Sequence, residues 1–349
     1  MKDLIVDANF PRTLDHRVYH LGIKAGEVAN RIVTVGAPSR ANAVAAYLDT
    51  SPKPFVLSSE RGFTTITGRY KGVPVSIVSI GMGHPNADFF MREVRECLSG
   101  DMLVVRFGSC GAVIDVPVGT VVVPKSSICV TRNYDFPFAS GSSQEYPYKI
   151  SRPIAADSEL HAALQDALNK HRSSKEMSVV DHFMNASTDS FYSSQGRQTS
   201  FPDYNADLID RLKSSHSNLA TFEMETFHIL HLAASWPCDA PSIHIASPPL
   251  STLPVSPAVS SSHLPSAQTQ RAGVLPSARN GKLPVPGPRI RAAAAQMVFA
   301  SRTSQGFITP QQVKDVEAWA GRAVLEALTG FVIDPDRLHD EEGSVWELK

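Results

Sequence analysis

"NRIVTVGAPSRANAVAAYLD", residues 30–49, begins with a β-branched run, crosses a Gly-Ala-Pro-Ser turn and continues into an alanine-rich stretch. The first part reads as a strand and the second as a helix. The same alternation recurs along the chain. "FTTITGRYKGVPVSIVSIG" (63–81) predicts a hairpin turning at Tyr70–Gly72, and "NADFFMRE" a helix capped by Asn86. "MLVVRFG" (102–108) and "GTVVVPKSS" (119–127) predict short buried strands, the first ending in glycine. "HAALQDALNK" predicts a helix, "SVVDHFMNAS" a strand, "NLATFEMETFHILHLAASW" (218–236) an apolar helix and "AAAAQMVFAS" a strand. A last helix begins at Pro310, an allowed first-turn position. The expected fold class is α/β: a three-layer α/β/α sandwich around a mixed central sheet, in a single domain.

The chain has 349 residues, 42% of them apolar, and a net charge of −1. No basic excess points to nucleic acid, and no apolar run of about 18 residues points to a membrane span. The N-terminus lacks an apolar signal core. Cys97, Cys110, Cys129 and Cys238 are scattered, so neither a zinc site nor a disulfide framework is expected and a reduced cytoplasmic setting is. His228 and His231 stand i, i+3, but no third ligand accompanies them and no HExxH occurs, so no metal is expected. "NAS" (185–187) matches the glycosylation triplet, read here as chance because no secretory signal precedes it.

One segment departs from the alternation. Residues 243–290 are rich in Pro and Ser and show no period, a composition that cannot bury enough apolar area to offset its ordering entropy. The segment is far longer than the usual connection of about 4–6 residues. It reads either as a disordered insert or as a retained intron. The expected organisation is an N-terminal extension (1–16), a domain formed by 17–242 and 291–330, and a polar C-terminal tail (331–349).

Candidate chemistry gathers past strand ends, where open α/β sheets bind ligands. Gly36 and Arg40 follow one strand, Arg106 and Ser109 sit at the end of another, and Ser301 and Arg302 at the end of a third. Glycine lets backbone N–H groups approach a ligand, and arginine offers a fork matched to phosphate oxygens. Arg106 ends an apolar run, where a long cation needs an anion. "GSCG" is not a nucleophile elbow, which disfavours hydrolase chemistry at Ser109. In "TDSFYSSQGRQ" (188–198) the Gln195 amide offers donor and acceptor together, Phe191 a stacking face and Arg197 a cation. Glu223 and Glu225 flank Met224. Two apart on a helix, they point to opposite sides, so at least one carboxylate faces the interior and needs a partner.

In order, "YHLGI", "VGAPSRA", "ERGFTTITG", "IGMGHPNADFF", "RFGSCGA", "STDSFYSSQGR", "FEMET" and "ASRT" resemble the nucleoside phosphorylase family of uridine phosphorylases and related purine enzymes. The resemblance spans roughly 17–242 and 291–330. It implies a phosphate site of Gly36, Arg40, Arg106 and Ser109, with Arg61 reaching in from a neighbouring subunit. His20, also from across a dimer, would meet the ribose 5′-hydroxyl. Met224 and Glu225 would contact the ribose, with Glu223 beside them, and Glu225 would accept from the 2′- and 3′-hydroxyls. Phe191, Gln195, Arg197 and Arg302 would bind the base. Purine-selective bacterial relatives carry an aspartate where Arg302 stands here, and a cation cannot protonate a purine ring nitrogen.

The implied reaction is therefore phosphorolysis of uridine, or deoxyuridine, to uracil and the pentose 1-phosphate, in pyrimidine salvage or catabolism. Inorganic phosphate is a co-substrate and no cofactor is implied. Arg40, Arg106, Gln195 and Arg197 would carry the catalysis. The implied assembly is a homodimer at least, with active sites shared across the interface, or a hexamer. A purine nucleoside phosphorylase, a nucleosidase or a catalytically impaired nucleoside-binding homologue are the rival readings. Ala37 stands where bacterial members carry aspartate. Gly62 stands where they carry a glutamate that binds a monovalent cation, so that cation site does not carry over. His84 stands where a small residue is frequent.

Overall fold

A computed structural model describes residues 4–172, 178–237 and 287–348. The chain divides into two units, 1–236 with 288–349 and 237–287, and all the strands and helices below belong to the first. The expected insert, 243–290, lies outside the described residues except at its end, where the core resumes with Ile290.

β1 (Ile5–Val6) and β2 (Arg12–Thr13) pair as a small antiparallel sheet. Then come β3 (Arg31–Val35), α1 (Pro38–Ala45), β4 (Phe55–Ser58), β5 (Thr64–Tyr70), β6 (Val73–Ser79), α2 (His84–Glu96) and β7 (Met102–Ala112). β8 (Val121–Val122), β9 (Ser126–Arg132), β10 (Tyr148–Ile150), β11 (Ile154–Ala155), α3 (Ser158–His171), β12 (Val179–Val180) and β13 (Met184–Thr188) follow. α4 (Leu208–Ser215), β14 (Leu219–Glu223), α5 (Thr226–Ala234), β15 (Ile290–Ser301) and α6 (Pro310–Gly330) complete the order.

The main sheet runs β10-β9-β13-β14-β7-β3-β6-β5-β4, with β15 alongside β7. β3, β7 and β15 are parallel, whereas β14 meets β7 antiparallel, so the sheet is mixed as expected. Successive residues of a strand face opposite sides. Val33, Val105 and Ala293 pack with Val44, Leu164 and Val324 of α1, α3 and α6. Their neighbours Ile32, Val104 and Ala292 pack with Phe90, Val94 and Ile229 of α2 and α5. Helices thus cover both faces, giving the three layers.

Several local expectations are corrected. β7 does not stop at glycine: it runs on through "GSCGA", so Arg106 lies in mid-strand, in register with Thr34 and Ala294 of its parallel neighbours. "SVVDHFMNAS" is two strands, β12 and β13, and "GTVVVPKSS" is divided between β8 and the start of β9. α2 starts at His84 after Gly83, two residues before Asn86. Most consequential, "TFEMETF" is not helix throughout. β14 ends at Glu223, Glu225 is the N-cap, and α5 begins at Thr226. A continuous apolar run has no period to separate the two elements.

Both flanking segments touch the domain. Arg12 pairs with Glu96 of α2 at 2.8 Å. Trp346 is wholly buried, and its carbonyl accepts from Arg69 Nε at 2.9 Å. Asn185 is buried and donates to Glu223, so the "NAS" triplet offers no acceptor site.

Candidate active site

The carboxyl ends of β3, β7 and β15 open on a cavity of about 380 Å³. Gly36, Arg40, Arg106 and Ser109 line one end, Met224 and the two glutamates the middle, and Phe191, Gln195 and Arg197 the other end. Gly111 of β7 lines the cavity, and Gly108 lies against the Arg106 side chain. A Cβ at Gly108 would lie 3.4 Å from Arg106 Nε, and one at Gly111 would lie 3.7 Å from Arg197 Nη2.

Arg106 is 4% exposed. Its Nη2 donates to Glu225 Oε2 at 2.7 Å, while Nε and Nη1 have no partner among the described residues. Two buried donors of a guanidinium without acceptors carry a desolvation penalty that an anion in the cavity would relieve. Arg40 is held from behind by Glu317 of α6, 2.7 Å from its Nε, and lies over the Phe299 and Phe107 rings. Burial lowers its pKa, Glu317 opposes that shift, and Arg106 adds to it. Each guanidinium is thus paired with one carboxylate, Arg40 with Glu317 and Arg106 with Glu225.

Glu223 and Glu225 have different tasks. Glu223 Oε2 accepts from the backbone N–H groups of Glu225 and Thr226, both at 2.9 Å, and Oε1 accepts from Asn185 and Ser187. It is a saturated carboxylate that caps α5, favoured there by the helix dipole. Glu225 accepts from Arg106 and from Gly83 N–H, at 2.7 Å and 2.5 Å. Burial pushes its carboxyl up, against the pull of Arg106. Gly83 reaches it from a turn that needs φ of +94°, a region open to glycine.

At the far end Gln195 Oε1 accepts from Arg197 Nη1, and Gln195 Nε2 donates to Thr188 at 2.9 Å. The Arg197 guanidinium lies 3.7 Å from the centre of the Phe191 ring. Burial, and then Arg302, bring its pKa down to about 10, which leaves it charged at neutral pH. Arg302 does not line the cavity. Its Nη2 donates to the Gln195 carbonyl at 2.8 Å and braces the loop.

Arg61 and His20 stand apart from this cavity, together on one face: both lie against Tyr19, Arg61 by its ring face and a hydrogen bond, His20 edge-on. His20 Nδ1 pairs with Glu93 at 2.6 Å and its ring stacks on Phe89. Glu317, Gly83 and Phe299 carry no functional signature in the sequence because each is brought in by tertiary packing. Only Phe299, two residues before the end of β15, has a positional hint.

His228 has company the sequence does not reveal. His84 and Cys129 lie beside it, and the three form the group of potential metal ligands found among the described residues. Burial brings the His228 pKa down to about 3, helped by His84 and His231, and pushes the Cys129 thiol up to about 11.

Comparison with known proteins gives the family. The family model of the Phosphorylase superfamily matches residues 30–245, and the chain belongs to that family. The uridine phosphorylase of Thermococcus kodakarensis is 30% identical over 67% of this chain and 78% of its own length. A DeoD-type purine nucleoside phosphorylase of Brevibacillus brevis is 29% identical over 64% of this chain and 83% of its own. A solved structure from work on two uridine phosphorylases of the oomycete Phytophthora capsici is 36% identical, with a TM-score of 0.75, covering 95% of this chain and all of its own.

Proposed function

We propose that this chain is a uridine phosphorylase, a pentosyltransferase that converts uridine and phosphate to uracil and ribose 1-phosphate. The observation that carries the reading is the Arg106 guanidinium, buried against Glu225 with two donors facing no protein acceptor among the described residues. Phosphate fills that need. Arg106 and Arg40 bind it with the Gly36 backbone and the Ser109 hydroxyl, directly below the sugar whose 2′- and 3′-hydroxyls donate to Glu225. A phosphate oxygen bonds to the anomeric carbon as the bond to uracil N1 breaks. The bonding pair leaves with the base, which departs as an anion and is then protonated by solvent. Gln195 and Arg197 hold that anion, and Arg302 keeps their loop in place. Positioning and preorganised charge supply the catalysis, without a covalent enzyme intermediate.

The reading includes a second copy. Arg61 and His20 share one face by Tyr19 and do not line their own cavity, as residues serving a neighbour's site would not. The three described cysteines are free, which fits a cytoplasmic setting.

Incubation with uridine or inosine, with and without phosphate, tests the proposal. Phosphate-dependent release of uracil supports it. Cleavage of inosine alone would make the enzyme a purine phosphorylase, cleavage without phosphate a nucleosidase, and no turnover an impaired homologue.

A further inference from the structure

Three side chains unused in phosphorolysis meet outside the lining of the candidate active-site cavity: His84 at the start of α2, Cys129 in β9 and His228 in α5. A ligand atom from each lies within 4.8 Å of the other two. Cys129 Sγ is 3.9 Å from His228 Nε2, and the two imidazole rings are 3.5 Å apart between centroids, tilted by 45°. His84 Nε2 is buried without a hydrogen-bond partner among the described residues. Buried imidazole nitrogens are ordinarily satisfied, and an orphan beside a second imidazole and a thiol is a lone pair without a cation.

We propose that His84, Cys129 and His228 form a binding site for Zn²⁺. Two neutral imidazoles and one thiolate are the borderline-soft N/S donor set that zinc takes. Zn–S of about 2.3 Å and Zn–N of about 2.0–2.1 Å place tetrahedral ligand atoms about 3.4–3.6 Å apart. The observed 3.9 Å between Sγ and Nε2 therefore closes by a few tenths of an ångström, while the two imidazole rings, 3.5 Å apart between centroids, swing apart to about 5 Å to share the ion. On binding, the S–H bond of Cys129 is replaced by an S–Zn bond and the proton passes to solvent, with no change of oxidation state. His84 also lines a second cavity, of about 790 Å³, from which water supplies the fourth ligand. His231, the histidine whose i, i+3 spacing suggested ligation, takes no part and stacks instead on Phe227.

The site ties together the two supports of the sugar carboxylate. His84 follows Gly83, whose amide holds Glu225, and His228 lies on the helix that Glu225 begins. The bound ion is a brace and enters no step of the reaction.

Chelator-treated full-length protein is titrated with Co²⁺ and then Zn²⁺. Expected are saturation at one Co²⁺ per chain, a thiolate-to-cobalt charge-transfer band, intense visible bands of a four-coordinate ion, and bleaching of both by Zn²⁺. Zn²⁺ alone raises the melting temperature. Cys129→Ser abolishes the charge-transfer band, and His84→Gln weakens binding about tenfold or more. Absence of saturable binding, a charge-transfer band that survives in Cys129→Ser, or the weak bands of a six-coordinate ion overturns the assignment. Zinc-edge X-ray absorption of the unsubstituted protein needs no folded variant. A shell of one sulfur and two imidazole nitrogens supports the site, and an all-oxygen/nitrogen shell removes it.

Discussion

Arg106 Nη2 donates to Glu225 Oε2 across 2.7 Å, joining a cation in the middle of β7 to the residue that begins α5. The pair is neutral only in sum. Glu225 is oriented by it, while the rest of the guanidinium stays directed at the cavity. One contact thereby sets the proposed ribose acceptor against the proposed phosphate donor.

Replacing Arg106 with Gln removes charge-assisted bonds worth roughly 1.5–3 kcal/mol each, so kcat/KM should fall by about ten- to a hundredfold or more. Because Glu225 is left buried without its counter-charge, stability should also fall, by about 3–5 kcal/mol. Steady-state kinetics with varied phosphate and a denaturant melt measure the two. A variant with unchanged phosphate KM and unchanged activity would remove Arg106 from the site.

Arg197→Ala acts at the other end of the cavity. It should lower kcat/KM for uridine about tenfold or more while leaving the phosphate KM close to its original value. A rise confined to the phosphate KM would mean that the two ends are wrongly assigned.

The C-terminal segment gives a pH dependence. His339 Nδ1 accepts from Ser99 N–H at 3.0 Å, which only the neutral ring can do, and burial lowers its pKa from 6.5. A depressed folded value means that the stabilisation is complete above pH 6.5 and is lost as pH falls through that value towards the folded pKa. Hydrogen exchange over residues 331–348, corrected for intrinsic rates, should be faster at about pH 5 than at about pH 7.5. His339→Asn should flatten that difference, and equal protection at both pH values would discount the histidine.

The ends that flank residues 237–287 meet: Trp236 Nε1 donates to the Pro288 carbonyl at 2.8 Å. Deleting 238–286 and closing the gap with a short Gly/Ser linker should retain uridine phosphorolysis and keep or raise the melting temperature. A lower melting temperature together with lost activity would show that the segment is needed. Sequencing the transcript across this region separates a retained intron from a translated insert.

Much of the fold and site is legible in the sequence, for a physical reason. Gly36, Arg40, Arg106 and Ser109 lie just beyond or within parallel strands, and parallel sheets bring such positions to one edge. "FEMET" misleads because an apolar strand leading into an apolar helix shows one unbroken run, so the turn at Met224 is hidden. Glycine reads as a terminator and puts Arg106 at a strand end, whereas β7 runs through Gly108 to Ala112. The meeting of His84, Cys129 and His228 cannot be read at all, since it depends on three elements distant in the chain.

The central claim is an oxyanion cradle of arginines completed by a second chain, and hybrid dimers test it most directly. Chains carrying Arg106→Gln and Arg61→Gln, each nearly inactive alone, are co-expressed with different tags and the mixed dimer is purified. If Arg61 serves the partner's cavity, one site in each hybrid is intact, and phosphate-dependent uridine cleavage should return to about half the unsubstituted rate per dimer. A purified hybrid as inactive as either parent would contradict the shared site.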